Sequence, residues 1–303
     1  MSGVSLAVQS VVYNNDIREL RSAIQAASQA CLTAVNRGIV STWEILYGDA
    51  SPIPLLPEPL INEFTNIVSS KGGTFKYVFF DRNTGHGGGH NQLSELSSSE
   101  YIVVLNPDGR LAPDAIAEAI NQFSENVGLC DGRQIPLEHL KDYNPESRDT
   151  DWCSGAFMTI RRNVFEVLEG FDHETFFMYC DDVDLSWRAR LIGWRTVHAP
   201  QARVFHDKRI DLKSNIEASS SELFYSKEAA FLLPYKFSRL DLANKVLNLL
   251  SESQDPVSLQ VANVLNARIS ERRLPKPIDK KHKVGTFING GYSHLRSKET
   301  WGK

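Results

Sequence analysis

The chain has 303 residues, of which 42% are hydrophobic and 23% charged, an ordinary globular composition. Its formal net charge of −4 excludes the broad basic surface that nucleic-acid binding requires. The four cysteines have no Cys-x-x-Cys spacing, so neither a disulfide framework nor a zinc knuckle is indicated. The sequence contains no apolar run near the ~20 residues of a membrane span and no basic leader. We therefore expect a soluble cytoplasmic protein with reduced thiols.

The first hundred residues alternate between strand and helix patterns. Apolar runs predict strands at 4–13, 43–47, 75–80 and 100–105, and helical periodicity predicts helices at 16–37 and 59–70. This alternation is typical of a parallel α/β sheet with helices on both faces, which binds ligands at the carboxyl ends of its strands. We expect the polar residues that follow the strands to share one crevice, namely Asn14, Asp49, Asn83 and Asp108.

The second half of the chain is less regular. Residues 128–150 are polar and are expected to form a loop, whereas the pattern is helical from about residue 215. An apolar stripe in that helical part must bury one face, and it runs through Leu240, Ala243, Val246, Leu247 and Leu250. Packing on the chain itself is the simplest expectation, with self-association or a shallow membrane contact as alternatives. The basic run Lys280-Lys281-His282-Lys283 slightly favours the membrane.

Two short segments follow predicted strands and carry candidate ligand groups. Asn106 and Asp108 are two residues apart on an extended backbone, so both side chains can face a cation or a diphosphate; the alternative is a plain Pro-Asp-Gly turn. The glycine-rich segment 83–91 would let backbone N–H groups approach a phosphate or a sugar, and the alternative is a flexible loop.

Three carboxylates within four residues form the strongest local pattern, at Asp181, Asp182 and Asp184. Like charges this close destabilise the fold unless a cation or a substrate compensates them. We predict that a helix begins here and buries Val183, Trp187 and Ile192. Capping of that helix by one aspartate would explain one of the acids but not three.

In their order and spacing these segments resemble family 2 glycosyltransferases with the GT-A fold, and within them the rhamnosyltransferase-like branch. The resemblance covers residues 4 to about 210 and is carried by the following motifs: Val12-Tyr13-Asn14-Asn15, Gly48-Asp49-Ala50-Ser51, Asn83-x-Gly85 through Asn91, Leu105-Asn106-Pro107-Asp108, Trp152-Cys153-Ser154-Gly155-Ala156, Gly170-Phe171-Asp172 through Phe176-Phe177-Met178-Tyr179, Asp181-Asp182-Val183-Asp184-Leu185 and Gly193-Trp194.

The resemblance implies an α/β fold of GT-A type, a Rossmann-like nucleotide-binding mixed sheet flanked by helices, with a C-terminal helical extension. It places a catalytic domain at 1–212, with a nucleotide-sugar half to about 110 and an acceptor half at 111–212. A helical region at 213–273 and a basic, flexible tail at 274–303 would follow.

The resemblance also implies roles for single residues. Asp182 would be the catalytic base, Asp181 and Trp152 would lie on the acceptor side, and Asp108 and His206 would hold Mg²⁺ or Mn²⁺. Donor contacts would come from Tyr13, Asn14, Asp49, Asn83, Gly85, Asn91 and Asn106. Two positions depart from the family pattern: Asn106 replaces the first acid of an Asp-x-Asp motif, and Asp181 stands where glutamate is usual.

The implied activity is inverting transfer of a sugar from a nucleotide diphosphate to a glycan or lipid-linked saccharide in surface polysaccharide synthesis. The branch suggests L-rhamnose from dTDP-rhamnose; UDP-sugar donors, a sugar-nucleotide pyrophosphorylase and a non-catalytic binding subunit are the alternatives. In an inverting reaction the cation neutralises the leaving diphosphate, and a carboxylate takes the proton of the attacking hydroxyl. We further expect a peripheral contact at the inner face of the membrane and a homo-oligomer.

Overall fold

The computed structural model describes residues 3–136, 141–206 and 219–293, and within these ranges eight strands form one sheet. The strands are β1 (Val4–Val12), β2 (Val40–Asp49), β3 (Thr74–Phe79), β4 (Tyr101–Leu105), β5 (Arg110–Leu111), β6 (Val127–Ile135), β7 (Phe157–Arg161) and β8 (Arg195–Phe205). The helices are α1 (Ile17–Asn36), α2 (Glu58–Ser69), α3 (Gly85–Ser94), α4 (Ala115–Ile120), α5 (Arg162–Val167), α6 (Asp181–Leu191), α7 (Ser220–Lys236), α8 (Leu240–Ser251) and α9 (Pro256–Ser270).

The sheet is mixed, in the order β3-β2-β1-β4-β7-β6-β8-β5. Its first four strands are parallel, as the alternating pattern predicts. β7 runs antiparallel to both β4 and β6, β8 is parallel to β6, and β5 is antiparallel to β8. In the register Val12 lies beside Asp49, which lies beside Phe79, so the first three strands end at one edge of the sheet.

Alternating side chains of the strands contribute to different cores. Leu6 and Val8 of β1 pack in a cluster with Leu20 and Ile24 of α1, whereas Ala7 packs with Leu93 of α3. Successive side chains of a strand point to opposite faces, so this division places helices on both sides of the sheet.

The C-terminal helices share a second core with the acid-rich segment. Trp152, Phe176 and Trp187 are buried there with residues of α7, α8 and α9. The stripe on α8 lies largely in this core: Ala243 and Leu250 are buried, Val246 and Leu247 are partly buried, and Leu240 is exposed. The stripe therefore packs on its own chain, which was the simplest of the three expectations.

The chain beyond α9 also contributes to this second core. Leu274, Ile278, Val284, Phe287 and Tyr292 pack against it. The predicted boundary at residue 212 and the tail beyond residue 293 lie outside the described residues. None of the described helices is long and apolar enough to span a bilayer.

Three local predictions are wrong. Residues 128–150 are not all loop, because β6 occupies Val127–Ile135 and its polar residues are buried with distant partners. The glycine-rich segment is not a loop but most of α3, where the glycines permit close packing. Ile192 is 51% exposed rather than buried, since α6 ends at Leu191, although Val183 and Trp187 are buried as predicted.

Candidate active site

One group of polar side chains lies where β4, β6 and β8 end, and we call it the strand-end cluster: Asn106, Asp108, Gln134 and His206. The Nε2 atom of His206 is 3.1 Å from Nδ2 of Asn106 and 3.3 Å from Oδ2 of Asp108. Its other ring nitrogen, Nδ1, is 3.5 Å from Oε1 of Gln134. The structure thus brings together the three residues that the sequence places at a metal and diphosphate site, although 100 residues separate Asn106 from His206.

The strand-end cluster offers a carboxylate, an imidazole and an amide to a cation. Within the described ranges there is no group of three or more His, Cys, Asp or Glu side chains arranged to hold a metal. Divalent cations such as Mg²⁺ commonly take only one or two protein carboxylates and complete their shell with substrate phosphates and water. The convergence of Asp108 and His206 on one point therefore fits a cation that shares its ligands with a diphosphate.

A second group lies at the start of α6, and we call it the helix-start cluster: His86, Gly155, Asp181 and Asp182. Nδ1 of His86 is 2.6 Å from Oδ2 of Asp181. The Gly155 amide donates to Oδ2 of Asp182 (2.8 Å), whose Oδ1 accepts from the Val183 amide (2.8 Å). The residue that caps α6 is Cys180, in the left-handed conformation, and it makes no side-chain cap. The two aspartates therefore lie in the first turn, where a helix favours negative charge.

Burial and charge set the protonation of the helix-start cluster. Burial, together with the adjacent charge of Asp181, raises the pKa of Asp182 to about 6. Burial disfavours the imidazolium of His86, but the charges of Asp181 and Asp182 outweigh it and raise the pKa of His86. Its neighbour His90 behaves in the opposite way, because burial and then the charge of His86 lower its pKa well below the usual value. A carboxylate with a raised pKa inside a cluster of charges is typical of a proton-transfer site.

Glycines in α3 allow this helix to pack closely against β1 and against the segment that precedes α6. Gly85 has a φ of +75°, and a Cβ there would lie 2.0 Å from the Phe177 carbonyl oxygen. A Cβ on Gly89 would lie 2.6 Å from Val11 of β1. Glycine is therefore required at both positions, and it lets His86 reach Asp181 across 95 residues of sequence.

The loop 152–156 joins the two clusters. The Ala156 carbonyl accepts from the Asn106 amide (3.1 Å), and the preceding residue, Gly155, donates to Asp182. The Ser154 side chain accepts from Gln134 of the strand-end cluster (2.8 Å). One short loop therefore fixes the position of the strand-end cluster relative to the Asp182 carboxylate.

A buried ionic group supports that loop, and the sequence analysis missed it. Asp131 of β6 pairs with Lys141 and with His198 (2.9 Å), and the three side chains are at most 5% exposed. Asp131 also accepts from the Ser154 amide (2.8 Å), and Lys141 donates to the Trp152 carbonyl (3.0 Å). Burial opposes the charge of Asp131, but Lys141 and His198 outweigh it, and the pKa of Asp131 is lowered. Asp131 and Lys141 fall in the segment predicted to be loop, whereas His198 lies in β8, and no local pattern connects the three.

The residues expected to contact the nucleotide lie around the turn after β2. The Asn14 amide donates to the Ser51 side chain (2.9 Å), and Tyr13 is 50% exposed. Asp49 itself is fully buried: its carboxylate accepts from the amides of Ser51 (2.9 Å) and Leu55 (2.7 Å) and from the Tyr77 hydroxyl. Burial and this hydrogen bond raise the pKa of Tyr77 to about 12. In this conformation Asp49 shapes the turn and presents no free oxygen to a ligand.

The remaining expected site residues have structural contacts of their own. Asn83 accepts from the Gly85 amide (3.0 Å) at the start of α3. Asn91 donates to the Phe171 carbonyl (2.8 Å) and accepts from the Phe171 amide (2.9 Å), which holds the segment before α6 against α3. Trp152 is buried in the second core, with Tyr292 edge-on to its ring.

A cavity of about 730 Å³ lies away from both clusters. It is lined by residues such as Tyr143, Asp149, Arg190 and Arg195. Arg195 begins β8 and His206 follows the end of that strand, so the cavity and the strand-end cluster lie at opposite ends of the sheet. The residues expected to carry the chemistry therefore lie in the two clusters and not at this cavity.

The known proteins that this chain resembles are glycosyltransferases. The family model described as glycosyl transferase family 2 matches residues 13–185, more than half of the chain. An N-acetylglucosaminyl-diphospho-decaprenol L-rhamnosyltransferase of Mycobacterium tuberculosis is 44% identical over a match that covers 39% of this chain and 52% of that protein. Rhamnosyltransferase WbbL of Escherichia coli is 41% identical over 21% of this chain and 24% of its own. The chain thus spans about half the length of the mycobacterial relative.

Two solved structures share the fold at 12% identity. One is the mannosyltransferase PcManGT of Pyrobaculum calidifontis with GDP-Man and Mn²⁺, at a TM-score of 0.54 over 88% of this chain and 81% of its own. The other is GalNAc-T7 with UDP, GalNAc and Mn²⁺, at a TM-score of 0.60 over 93% and 57%. At this identity the likeness shows the GT-A-like fold alone. By its matching family model, the chain belongs to glycosyl transferase family 2.

Proposed function

We propose that this glycosyltransferase transfers L-rhamnose from dTDP-rhamnose to a glycan or lipid-linked saccharide, with inversion at the anomeric carbon. The observation that carries the reaction type is the loop 152–156, which joins one partly buried carboxylate, Asp182, to a separate set of cation ligands. The donor and acceptor classes are supported by the relatives, whose names specify rhamnosyl transfer and, for one, a diphospho-decaprenol acceptor.

Asp108 and His206 would hold Mg²⁺ or Mn²⁺, with Asn106 beside them. When bound, the cation would neutralise negative charge on the departing nucleotide diphosphate. Gln134 lies next to Nδ1 of His206, so Nδ1 can donate to it and leave the Nε2 lone pair directed at the cluster. Asp108 supplies the only carboxylate of the strand-end cluster, so most of the electrostatic attraction to a cation comes from this residue.

Asp182 would accept the proton of the attacking hydroxyl. Its Oδ2 is held by the Gly155 amide and its Oδ1 by the Val183 amide, so the carboxylate keeps one orientation. A pKa of about 6 leaves it mostly ionised at neutral pH, yet basic enough to take a proton as the bond to the sugar forms. One base and one displacement invert the anomeric configuration.

Donor contacts would come from the turns after β1 and β2 and from the start of α3. Tyr13 and Asn14 are the accessible side chains beside the Ser51 turn, and Asn83 and Gly85 define the start of α3. Asp49 would act on the nucleotide through the backbone that it orders, and Asn91 through its hold on Phe171. Asp181 would shape the acceptor side together with His86. Trp152 would contribute as the first residue of the loop 152–156.

A lipid-linked acceptor would place the enzyme at the inner face of the membrane. The side chains of Lys280, Lys281 and Lys283 are exposed on the segment that follows α9. Exposed cations of this kind attract anionic lipid by about 1 kcal/mol each. We propose this segment as the peripheral contact; a homo-oligomer stays a separate proposal.

The test is a panel of nucleotide sugars with Mn²⁺. We expect dTDP-rhamnose to raise the melting temperature most, because a ligand that binds only the native state stabilises it. Transfer to a synthetic lipid-linked saccharide, read by NMR at the new anomeric centre, should show the inverted configuration. If a UDP-sugar raised the melting temperature most, the proposed donor would be wrong. Retention of the anomeric configuration would contradict the proposed mechanism.

A further inference from the structure

In the function proposed so far, the pairing of His86 with Asp181 serves only to define the acceptor side. His86 lies on α3 and Asp181 begins α6, and their 2.6 Å contact spans 95 residues of sequence. The side chain of Asp181 is 5% exposed and that of His86 is 23% exposed. The His86 amide also donates to the Phe177 carbonyl (3.1 Å), which fixes the ring beside the segment that leads into α6.

The imidazole of His86 and the carboxylate of Asp182 meet at the same glycine. A Cβ built on Gly155 would lie 3.1 Å from Cε1 of His86 and 3.6 Å from Oδ2 of Asp182. The Cε1 edge of the ring therefore faces the residue that donates to Asp182, while Nδ1 is directed at Asp181. One histidine thus stands between two carboxylates that are adjacent in sequence.

The other charged groups of this region are neutralised elsewhere. Asp184 is fully buried and pairs with Arg188 (2.7 Å) and Lys236 (2.5 Å), and Lys236 also pairs with Asp172 (2.6 Å). His90 packs against His86 at 4.6 Å between ring centroids and stays neutral, because its pKa is strongly lowered.

Two further titratable groups face this region. Cys180 is buried and, through burial and the nearby aspartates, has a pKa raised well above its usual value, so it carries no charge. His173 is exposed and approaches Gly88 on α3. Of the groups named here that face Asp182, the imidazole of His86 is thus the one whose positive charge opposes the negative charge of Asp181.

We propose that His86 is a positioning residue whose imidazolium, held by Asp181, keeps the Asp182 carboxylate ionised and oriented at Gly155. Because His86 acts through Asp182, this role rests on the function proposed above. The imidazolium offsets part of the repulsion that the charge of Asp181 exerts on Asp182, and this keeps the pKa of Asp182 lower than it would otherwise be. Without the imidazolium, the charge of Asp181 would act on Asp182 unopposed.

The test is the pH dependence of kcat/KM, which reports groups of the free enzyme. In the wild type we expect activity to fall as the pH drops through about 6, where Asp182 becomes protonated. In His86→Gln the acidic limb should move upward by about one pH unit, because a neighbouring cation has been removed from a carboxylate. In His86→Gln/Asp181→Asn both charges are gone, and the limb should return toward the wild-type position. His173→Gln, an exposed histidine near the same helix, should leave it in place.

An unmoved acidic limb in folded His86→Gln would overturn the proposal, as would a double variant no closer to the wild type than the single one. A second measurement uses the wild-type protein, in case the variants do not fold. NMR of the His86 ring should show an imidazolium at pH 7, and a neutral ring would overturn the proposal. A fully active Asp182→Asn protein would instead contradict the proposed base itself, which separates the two failures.

Discussion

The strand-end and helix-start clusters differ in how far the protein satisfies its own polar groups. Asp108 and His206 are 26% and 15% exposed, and their mutual contact is long, at 3.3 Å. Asp181 is 5% exposed and holds His86 at 2.6 Å, and Asp182 accepts two backbone amides. The first cluster leaves donor atoms available for outside ligands, whereas the second has its charges and orientations set before a substrate arrives. Binding requires ligand atoms that are still available, whereas proton transfer requires a base that is already oriented.

The supports of the two clusters differ in the same way. The strand-end cluster rests on the ends of separate strands of the sheet, while the helix-start cluster is anchored to the second core through the rest of α6. Trp187 of α6 packs edge-on to Phe237 and Phe287, both from the C-terminal part of the chain. The C-terminal helices therefore bear on the proposed base more than on the cation ligands.

The largest expected effect is on the helix-start cluster. Asp182→Asn keeps the shape and one of the two hydrogen bonds from backbone amides but removes the base, so transfer should slow by ~10²–10⁴-fold. Donor affinity, measured by calorimetry, should stay near the wild-type value because the strand-end cluster is intact. Asp241→Asn, at an exposed carboxylate on α8, is the matched control and should transfer at the normal rate. A folded Asp182→Asn enzyme with wild-type activity would show that the helix-start cluster does not supply the base.

The second prediction concerns the anchoring of the helix-start cluster. Lys236→Met leaves the fully buried Asp184 without one of its two cations and Asp172 without its partner. Breaking a buried ion pair in this way costs about 3–5 kcal/mol, which we expect as a lower free energy of unfolding in urea. Lys245→Met, on the exposed surface of α8, should change it little. Equal stability of the two variants would show that α6 does not depend on this lysine.

The third prediction concerns the strand-end cluster. Asp108→Ala and His206→Ala should both weaken donor binding in the presence of Mn²⁺, and Asp108→Ala should do so more because it removes the charge. Asp114→Ala removes a carboxylate that pairs with Arg203 instead, and should leave binding unchanged. Calorimetry with and without Mn²⁺ measures the difference. Equal donor affinity in the two conditions for the wild type would contradict the metal role of this cluster.

The smallest expected effect lies on the surface beyond both clusters. Wild-type protein should float with anionic vesicles at low salt and release at high salt, since Debye screening weakens the attraction. The triple variant Lys280→Glu/Lys281→Glu/Lys283→Glu should lose that binding, at about 1 kcal/mol for each cation removed. Lys245→Glu is the single-charge control. A truncation after residue 273 is unsuitable here, because it would remove Val284 and Phe287 from the second core. Wild-type protein that stays unbound at low salt would contradict the membrane contact.

The sequence by itself determined the elements whose pattern is local. Runs of apolar residues fixed β1 and β4, and the acids beside Val183 and Trp187 marked the start of α6, because these patterns need only neighbouring residues. The order of the motifs was sufficient to identify the family, and the family model confirmed it. Asn106, Asp108 and His206 were named as one site from the resemblance, and the fold brings them together.

The tertiary structure decided what depends on partners distant in the chain. β6 reads as a loop because Asp131 and Gln134 are polar, and only Lys141, His198 and Ser154 make their burial tolerable. The glycines of α3 have poor helix propensity, so packing against its neighbours must stabilise this helix, and β1 and Phe177 approach it too closely for any larger residue. The pairing of His86 with Asp181 has the same origin. A local sequence pattern indicates only what a segment favours by itself. β6, α3 and the His86–Asp181 pair are stabilised by contacts that exist only once the sheet and α6 have come together.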